Sequence, residues 1–185
     1  MITPIFDFDK SINAILYIAK KLKRSDFHKV FKILYLSDRE HLAKYGRPIT
    51  GDIYIKMQNG PVPSKIYDIL KVVRGDSFFS DEMKDRYSSF FEVNNNYFIT
   101  PLKEPNIDYL SETDLQEIDT ALEKYGDLAF NEISLVSHDI AWTLTNDSCP
   151  ISIVDIMSEA GKDKDYISYI CSFMEAQQSF YNYGK

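Results

Sequence analysis

Asp38 and His41 are the first residues to weigh for chemistry. At i and i+3 they share one face of a helix, and a carboxylate beside an imidazole is material for a metal site. His28 or His138 would supply further ligands, Glu40 adjoins the pair, and the reaction class would be metal-dependent hydrolysis. The spacing is generic, however, and no HExxH pattern accompanies it. Ser37 with His41, and Ser137 with His138, lack the strand–turn–helix setting of a nucleophile elbow. Cys149 precedes Pro150 with no adjacent base, so its expected role is packing. There is no P-loop and no GxGxxG, and Gly60-Pro61 is a turn, not a phosphate cradle. The competing reading of Asp38 is structural. It falls in an apolar stripe, one turn past Leu34 and one turn before His41 and Leu42, where an unpaired charge would be costly. The turns GRPITGD and NGPVPS follow directly and expose backbone N–H groups. Asp38 is therefore expected to tie its helix to those turns, with no catalytic residue, metal or cofactor involved.

The elements that must position these residues follow from the pattern of the chain. Asp9 or Ser11 caps a helix over Phe8–Lys23, buried through Ile12, Ile15, Leu16 and Ala19. A second helix runs from Asp26 to Tyr45. Its stripe is Phe27, Val30, Phe31, Leu34, His41, Leu42 and Tyr45, and Gly46 ends it. Ile53–Met57 reads as a strand, Asn59-Gly60-Pro61 closes it, and Pro63 or Ser64 opens a helix that stops at Gly75. Asp76–Tyr87, with Phe78-Phe79 inside it, is expected as a mobile loop or irregular helix. Phe90–Val93 and Tyr97–Thr100 flank three asparagines and form a hairpin.

Beyond the linker Pro101–Pro105 the chain is helical. A capping box of Ser111 and Asp114 starts a helix to Tyr125, and Asp127 is a candidate cap for a short helix through Val136. Ser137–Trp142 reads as a turn. Ser152 caps a helix to Ala160, and a last helix runs from Asp163 or Asp165 to Tyr181. The fold class is thus α+β, mainly α-helical: a helical bundle with a small three-stranded antiparallel sheet made of Ile53–Met57 and the 90–100 hairpin. One domain is expected over 1–185, with a helix–strand–helix–hairpin part at 1–102 and a helical part at 108–185. A winged helix shares part of this order, but its helices are shorter and its charge less acidic.

Composition bounds the partners. A net charge of −7 over 185 residues argues against broad nucleic-acid binding, which needs clustered Lys and Arg. No apolar run approaches the roughly 18 residues of a membrane span, and the N-terminus does not read as a signal peptide. Cys149 and Cys171 lack CxxC spacing and read as free thiols, so a cytoplasmic protein is expected.

The segment KILYLSDREHLAKYGRPITGDIYIKMQNGPVPSKIYDIL resembles the signature of the Panacea antitoxin domain, the group of SocA-like and phage-associated GepA-like proteins. The matching parts are Lys32–Tyr35, Asp38, Tyr45–Asp52, Tyr54 and Gly60–Pro63, and LVSHDIAW at Leu135–Trp142 resembles the second patch of that family. The resemblance implies a structural motif of Asp38, His41, Gly46, Pro48, Gly51, Asp52, Gly60, Pro61 and Pro63, joined by His138 and Trp142. It also implies a bacterial antitoxin that binds a cognate protein toxin, with a protease and a second copy of the chain as further candidate partners. Many relatives add a DNA-binding segment. This chain begins shortly before the motif, so a transcriptional regulator of a phage or mobile element is the lesser alternative.

Two surfaces are candidates for holding a partner. Arg39 and Arg47 sit beside the turns, and Tyr45, Tyr54 and Tyr67 surround them; such rings make good anchors because they freeze few torsions. On the last helix a second apolar stripe, Tyr166, Tyr169, Phe173 and Phe180, is offset from Ile167, Ile170, Cys171, Met174 and Tyr181.

Overall fold

In the computed structural model, which describes residues 2–76 and 81–183, two helices open the chain, α1 (Phe8–Lys21) and α2 (Phe27–Tyr45). An aspartate just outside each helix accepts from its first turn. Asp7 takes the Lys10 N–H and Asp26 the Lys29 N–H, which satisfies donors that a helix start leaves open. The cap of α1 is thus Asp7, not Asp9 or Ser11. Those two already have helical backbone, and the Ser11 hydroxyl bonds back to the Asp7 carbonyl at 2.6 Å.

Helix α2 differs from the single buried stripe that its periodicity suggests. Every residue from Lys29 to Asp38 is buried, including Ile33, Tyr35 and Leu36 from outside the stripe. The reason is its central position. It packs on α1 and on three later helices, α5 (Glu112–Tyr125), α6 (Phe130–Ser137) and α8 (Ile153–Glu159). A helix covered on several sides needs apolar residues around its whole circumference.

After α2 come β1 (Tyr54–Ile55), β2 (Val62–Pro63) and α3 (Ser64–Arg74). α4 (Asp81–Ser88) follows within the stretch expected to be irregular, while the Phe78-Phe79 pair lies outside the described residues. Then β3 (Phe91–Asn94) and β4 (Phe98–Pro101) form the expected hairpin, with Asn95 and Asn96 at φ +48° and +67°. Asparagine tolerates this left-handed backbone better than most residues.

The expected three-stranded sheet is instead two separate antiparallel pairs. Tyr54 pairs with Pro63 and Ile55 with Val62, while β3 pairs only with β4. The free edges are taken by other backbone. Lys56 N–H donates to the Cys149 carbonyl and Ile151 N–H to that of Tyr54, while Ile99 N–H donates to the Ser25 carbonyl and Phe27 N–H to that of Tyr97. The edges of β1 and β4 are thus each paired to a segment distant in sequence and not to each other.

The second half adds α5, α6, α7 (Ile140–Leu144), α8 and α9 (Lys164–Tyr183). The Ser111–Asp114 capping box of α5 is present as expected. α6 starts at Phe130, where Glu132 accepts from the Ala129 N–H at 2.6 Å, so Asp127 is not its cap. The expected turn at Ser137–Trp142 holds the start of α7, because Asp139 accepts from the Trp142 N–H at 2.9 Å. The architecture is mainly helical α+β. Among the described residues no helix is long and apolar enough to cross a membrane.

Candidate functional site

Asp38 is 3% exposed and fully committed within the protein. Oδ1 accepts from the Ile49 N–H at 2.6 Å and the Thr50 N–H at 3.2 Å. Oδ2 accepts from the Thr50 hydroxyl at 2.8 Å and the Tyr54 hydroxyl at 2.7 Å. Burial pushes this carboxyl above its ordinary range, against the pull of Tyr54, Thr50 and Ile49. His41 holds the other side of the same turn, its Nδ1 lying 2.8 Å from the Arg47 carbonyl. The backbone on both sides of Pro48 is thereby fixed from one helix. Gly51 completes the turn at φ +69°, and a Cβ there would lie 2.0 Å from the Ile5 carbonyl oxygen. The N-terminal segment crosses too close for any side chain.

Asp52 fastens the second turn to its helix. It accepts from the Lys65 N–H at 3.0 Å and the Ile66 N–H at 2.9 Å, in the first turn of α3, and from the Ile53 N–H at 2.7 Å. Pro63, in the capping position, supplies no side-chain bond, and Asp52 does so from a distance in sequence. Burial pushes its carboxyl up to about 6 against these three donors.

The pairing of Asp38 with His41 for metal or acid–base chemistry is not what the fold builds. Asp38 turns to Ile49, Thr50 and Tyr54, whereas His41 Nε2 lies 3.0 Å from the Thr113 hydroxyl and 3.1 Å from Asp114 Oδ1. Asp114 also receives Lys10 at 2.6 Å and Arg47 at 3.0 Å. Burial opposes its ionisation, yet His41, Lys10 and the Ser111 N–H hold its carboxyl well below the usual range. The capping box read from sequence therefore also supplies a buried carboxylate to Lys10 and Arg47, which are themselves partly exposed. His28 stands apart, with Nε2 2.8 Å from the Ser134 hydroxyl and its ring stacked on Phe130. Among the described residues no three His, Cys, Asp or Glu side chains are grouped to hold a metal ion.

His138 and Trp142 form a stacked pair, centroids 3.8 Å apart and nearly parallel. The Trp142 ring carries Lys56 Nζ at 4.3 Å, and its N–H donates to the Met57 carbonyl at 3.3 Å. This second patch thus closes onto the β1–β2 turn. His138 Nε2 is buried with no hydrogen-bond partner among the described residues, and burial, with Lys32 and Lys56 nearby, lowers the pKa of the ring.

The residues expected to meet a partner divide into two groups. Tyr54 is 6% exposed and donates to Asp38, which withdraws it from the surface. Arg39 is turned inward onto Asp139 at 3.1 Å and also bonds Glu40. Arg47 is half-exposed but engaged with Asp114 and the Ser111 hydroxyl. Tyr45 is exposed and tilts over His41, and Tyr67 packs edge-on against Phe27 and Phe31. On α9, Tyr169, Phe173 and Phe180 are exposed, while Ile167, Ile170, Cys171 and Met174 are buried. Phe173 and Phe180 border a cleft of about 910 Å³ whose other wall is the Gly46–Gly51 turn and the N-terminal segment.

Lys32, named in sequence only as the start of a matching segment, has a role that its spacing does not suggest. Lys32 is 1% exposed, lies six positions before Asp38, and donates to the Pro61 carbonyl at 2.8 Å. The apolar residues on every side of α2 were the available signal: in a fully covered helix the lysine has to be buried too. Gly60, at φ +99°, makes room for it, since a Cβ there would lie 2.6 Å from Lys32 Cε and 2.5 Å from the Ser137 hydroxyl.

Neither the curated proteins nor the solved structures gave a significant match. Residues 30–143 match the family described as antitoxin SocA-like, Panacea domain. That span holds both pinned turns and the carboxylates that pin them, together with Lys32 and the His138–Trp142 pair. It also covers more than half of the chain, which therefore belongs to the SocA-like antitoxin family built on the Panacea domain.

Proposed function

We propose that this protein is a cytoplasmic antitoxin that neutralises a protein toxin by binding it directly, without chemistry. Family membership is the observation that carries this reading. The geometry around Asp38 supports it, because each polar group that sequence offers for catalysis there is already bonded inside the fold. What remains for a partner is a rigid frame with aromatic side chains outside it. Tyr169, Phe173 and Phe180 on α9 are the anchors, with Tyr45 beside the first turn as a further contact. Exposed rings in a row contribute much of the energy of a protein interface because they bury large areas for few frozen torsions.

The test is co-expression with the product of the neighbouring reading frame. That product is expected to arrest growth alone, and co-expression to restore growth and yield a complex that co-elutes in gel filtration. Persistent arrest would sink the antitoxin reading. Phe173→Glu and Phe180→Glu are expected to lose the complex while keeping the fold, and full recovery by both folded variants would move the interface elsewhere. Hand-over of the bound toxin to a protease would appear as a toxin half-life shortened by this protein; an unchanged half-life leaves binding as the whole mechanism.

A further inference from the structure

Lys32 lines a second cleft, of about 730 Å³, a size that suits a small organic ligand. The rings of Phe27, Phe31, Tyr67 and Phe130 also line it. At its margin three cations lie over aromatic faces: Arg24 over Phe98 at 5.5 Å, Lys71 over Tyr67 at 4.9 Å and Arg74 over Phe27 at 5.7 Å. The cleft thus gathers four Lys and Arg side chains, of which Arg74 is paired with Asp76 at 2.5 Å outside the lining, against Asp26 and Asp68. Asp26 is paired with Arg24 and Asp68 with Lys71, so neither serves Lys32.

Among the described residues no carboxylate forms an ion pair with Lys32. The titratable groups felt near it are His28, on its own helix, and His138, at the corner between α6 and α7. Among the described residues its one hydrogen-bond partner is the neutral Pro61 carbonyl. A buried ammonium without a counter-charge is a net cost to a fold, and an anion entering from the cleft would remove that cost. The net charge of −7 works against anions over the molecule as a whole, so attraction here has to come from Lys32 itself at short range.

We propose that the cleft is a binding site for a small organic anion. Its carboxylate or phosphate meets the Lys32 ammonium, and its planar body lies against the rings. The site is independent of any toxin partner, and its test uses the purified chain alone.

Isothermal titration with 2-naphthoate and 2-naphthyl phosphate reads the site, with 2-naphthol and inorganic phosphate as controls. Both aryl anions are expected to bind with Kd below about 1 mM, and each control at least about tenfold more weakly. Lys32→Met is expected to lose at least about tenfold in aryl-anion affinity without change for 2-naphthol, and Phe130→Ala to weaken every aryl probe. Lys32→Gln, which keeps a donor for the Pro61 carbonyl, replaces the Met variant if that fails to fold. If neither folds, the selectivity of the parent chain decides. Aryl anions that bind no better than 2-naphthol or inorganic phosphate, or not at all at about 1 mM, would overturn the proposal. So would folded Lys32 variants that bind like the parent.

Discussion

Of the charged side chains that helix α2 buries, Lys32 and Asp38 lie less than two turns apart, and the fold treats them in opposite ways. Asp38 receives four hydrogen bonds from one turn and one strand, and no position around it is left for a ligand. Lys32 has one neutral partner among the described residues and an open cleft beside it. A buried charge with every partner supplied by the protein holds elements together. A buried charge left short of partners stabilises little and is poised for something from outside. The family motif thus contains a frame and an opening, and burial alone does not tell them apart.

The strongest challenge to this contrast is Asp38→Ala. It strands the Ile49 and Thr50 N–H groups and the Tyr54 hydroxyl in the core, and about 3–5 kcal/mol of stability should be lost in urea unfolding. A loss below about 1 kcal/mol would mean the turn is held by other contacts. Gly60→Ala comes next, at about 1–3 kcal/mol, because its backbone is left-handed and its Cβ meets Ser137 and Lys32. Tyr54→Phe removes one of the four donors to Asp38 and should cost about 1–2 kcal/mol, read from the urea midpoint.

Lys32→Met should behave differently, leaving stability at or above that of the parent at pH 7. Burial lowers the ammonium pKa to about 7 from its ordinary 10.5, so the unfolded chain takes up this proton at higher pH than the folded one. The penalty is therefore full below about pH 7 and fades as pH rises towards 10.5. His28 and His138 are also held below the ordinary imidazole range, chiefly by burial; their protons leave the unfolded chain near pH 6.5 in parent and variant alike, so they drop out of the difference between the two. Urea unfolding at pH 6.5 and 9.5 should show the advantage of Lys32→Met shrinking at the higher pH. A constant difference would show that Lys32 is paired after all. The smallest effect belongs to Phe180→Ser on the open face of α9, within about 0.5 kcal/mol of the parent by the same measurement. A larger loss would place that ring in the core.

Legibility in the sequence followed the range of the interactions. Asp26 and Gly46 bound α2, the asparagines of the 94–96 turn mark the hairpin, and Ser111 with Asp114 marks the start of α5. The structural role of Asp38 was also readable, since a carboxylate on an apolar face needs donors and two turns follow it closely. The division of the sheet was not, because Cys149 and Ile151 occupy the edge of β1 from far along the chain. Nor was the burial of Tyr54, which had the look of a loop anchor until its hydroxyl was placed on Asp38.

By itself the sequence determined the helices, the two proline-containing turns and the family to which they point, since caps, glycines and apolar spacing act over a few residues. Only the tertiary structure decided which charges are closed and which remain open. Asp52 reaches α3, Asp114 collects Lys10, His41 and Arg47, and Lys32 meets an aromatic cleft through contacts between segments distant in sequence. A local pattern fixes which face of an element a residue occupies. What stands opposite that face depends on how the whole chain packs.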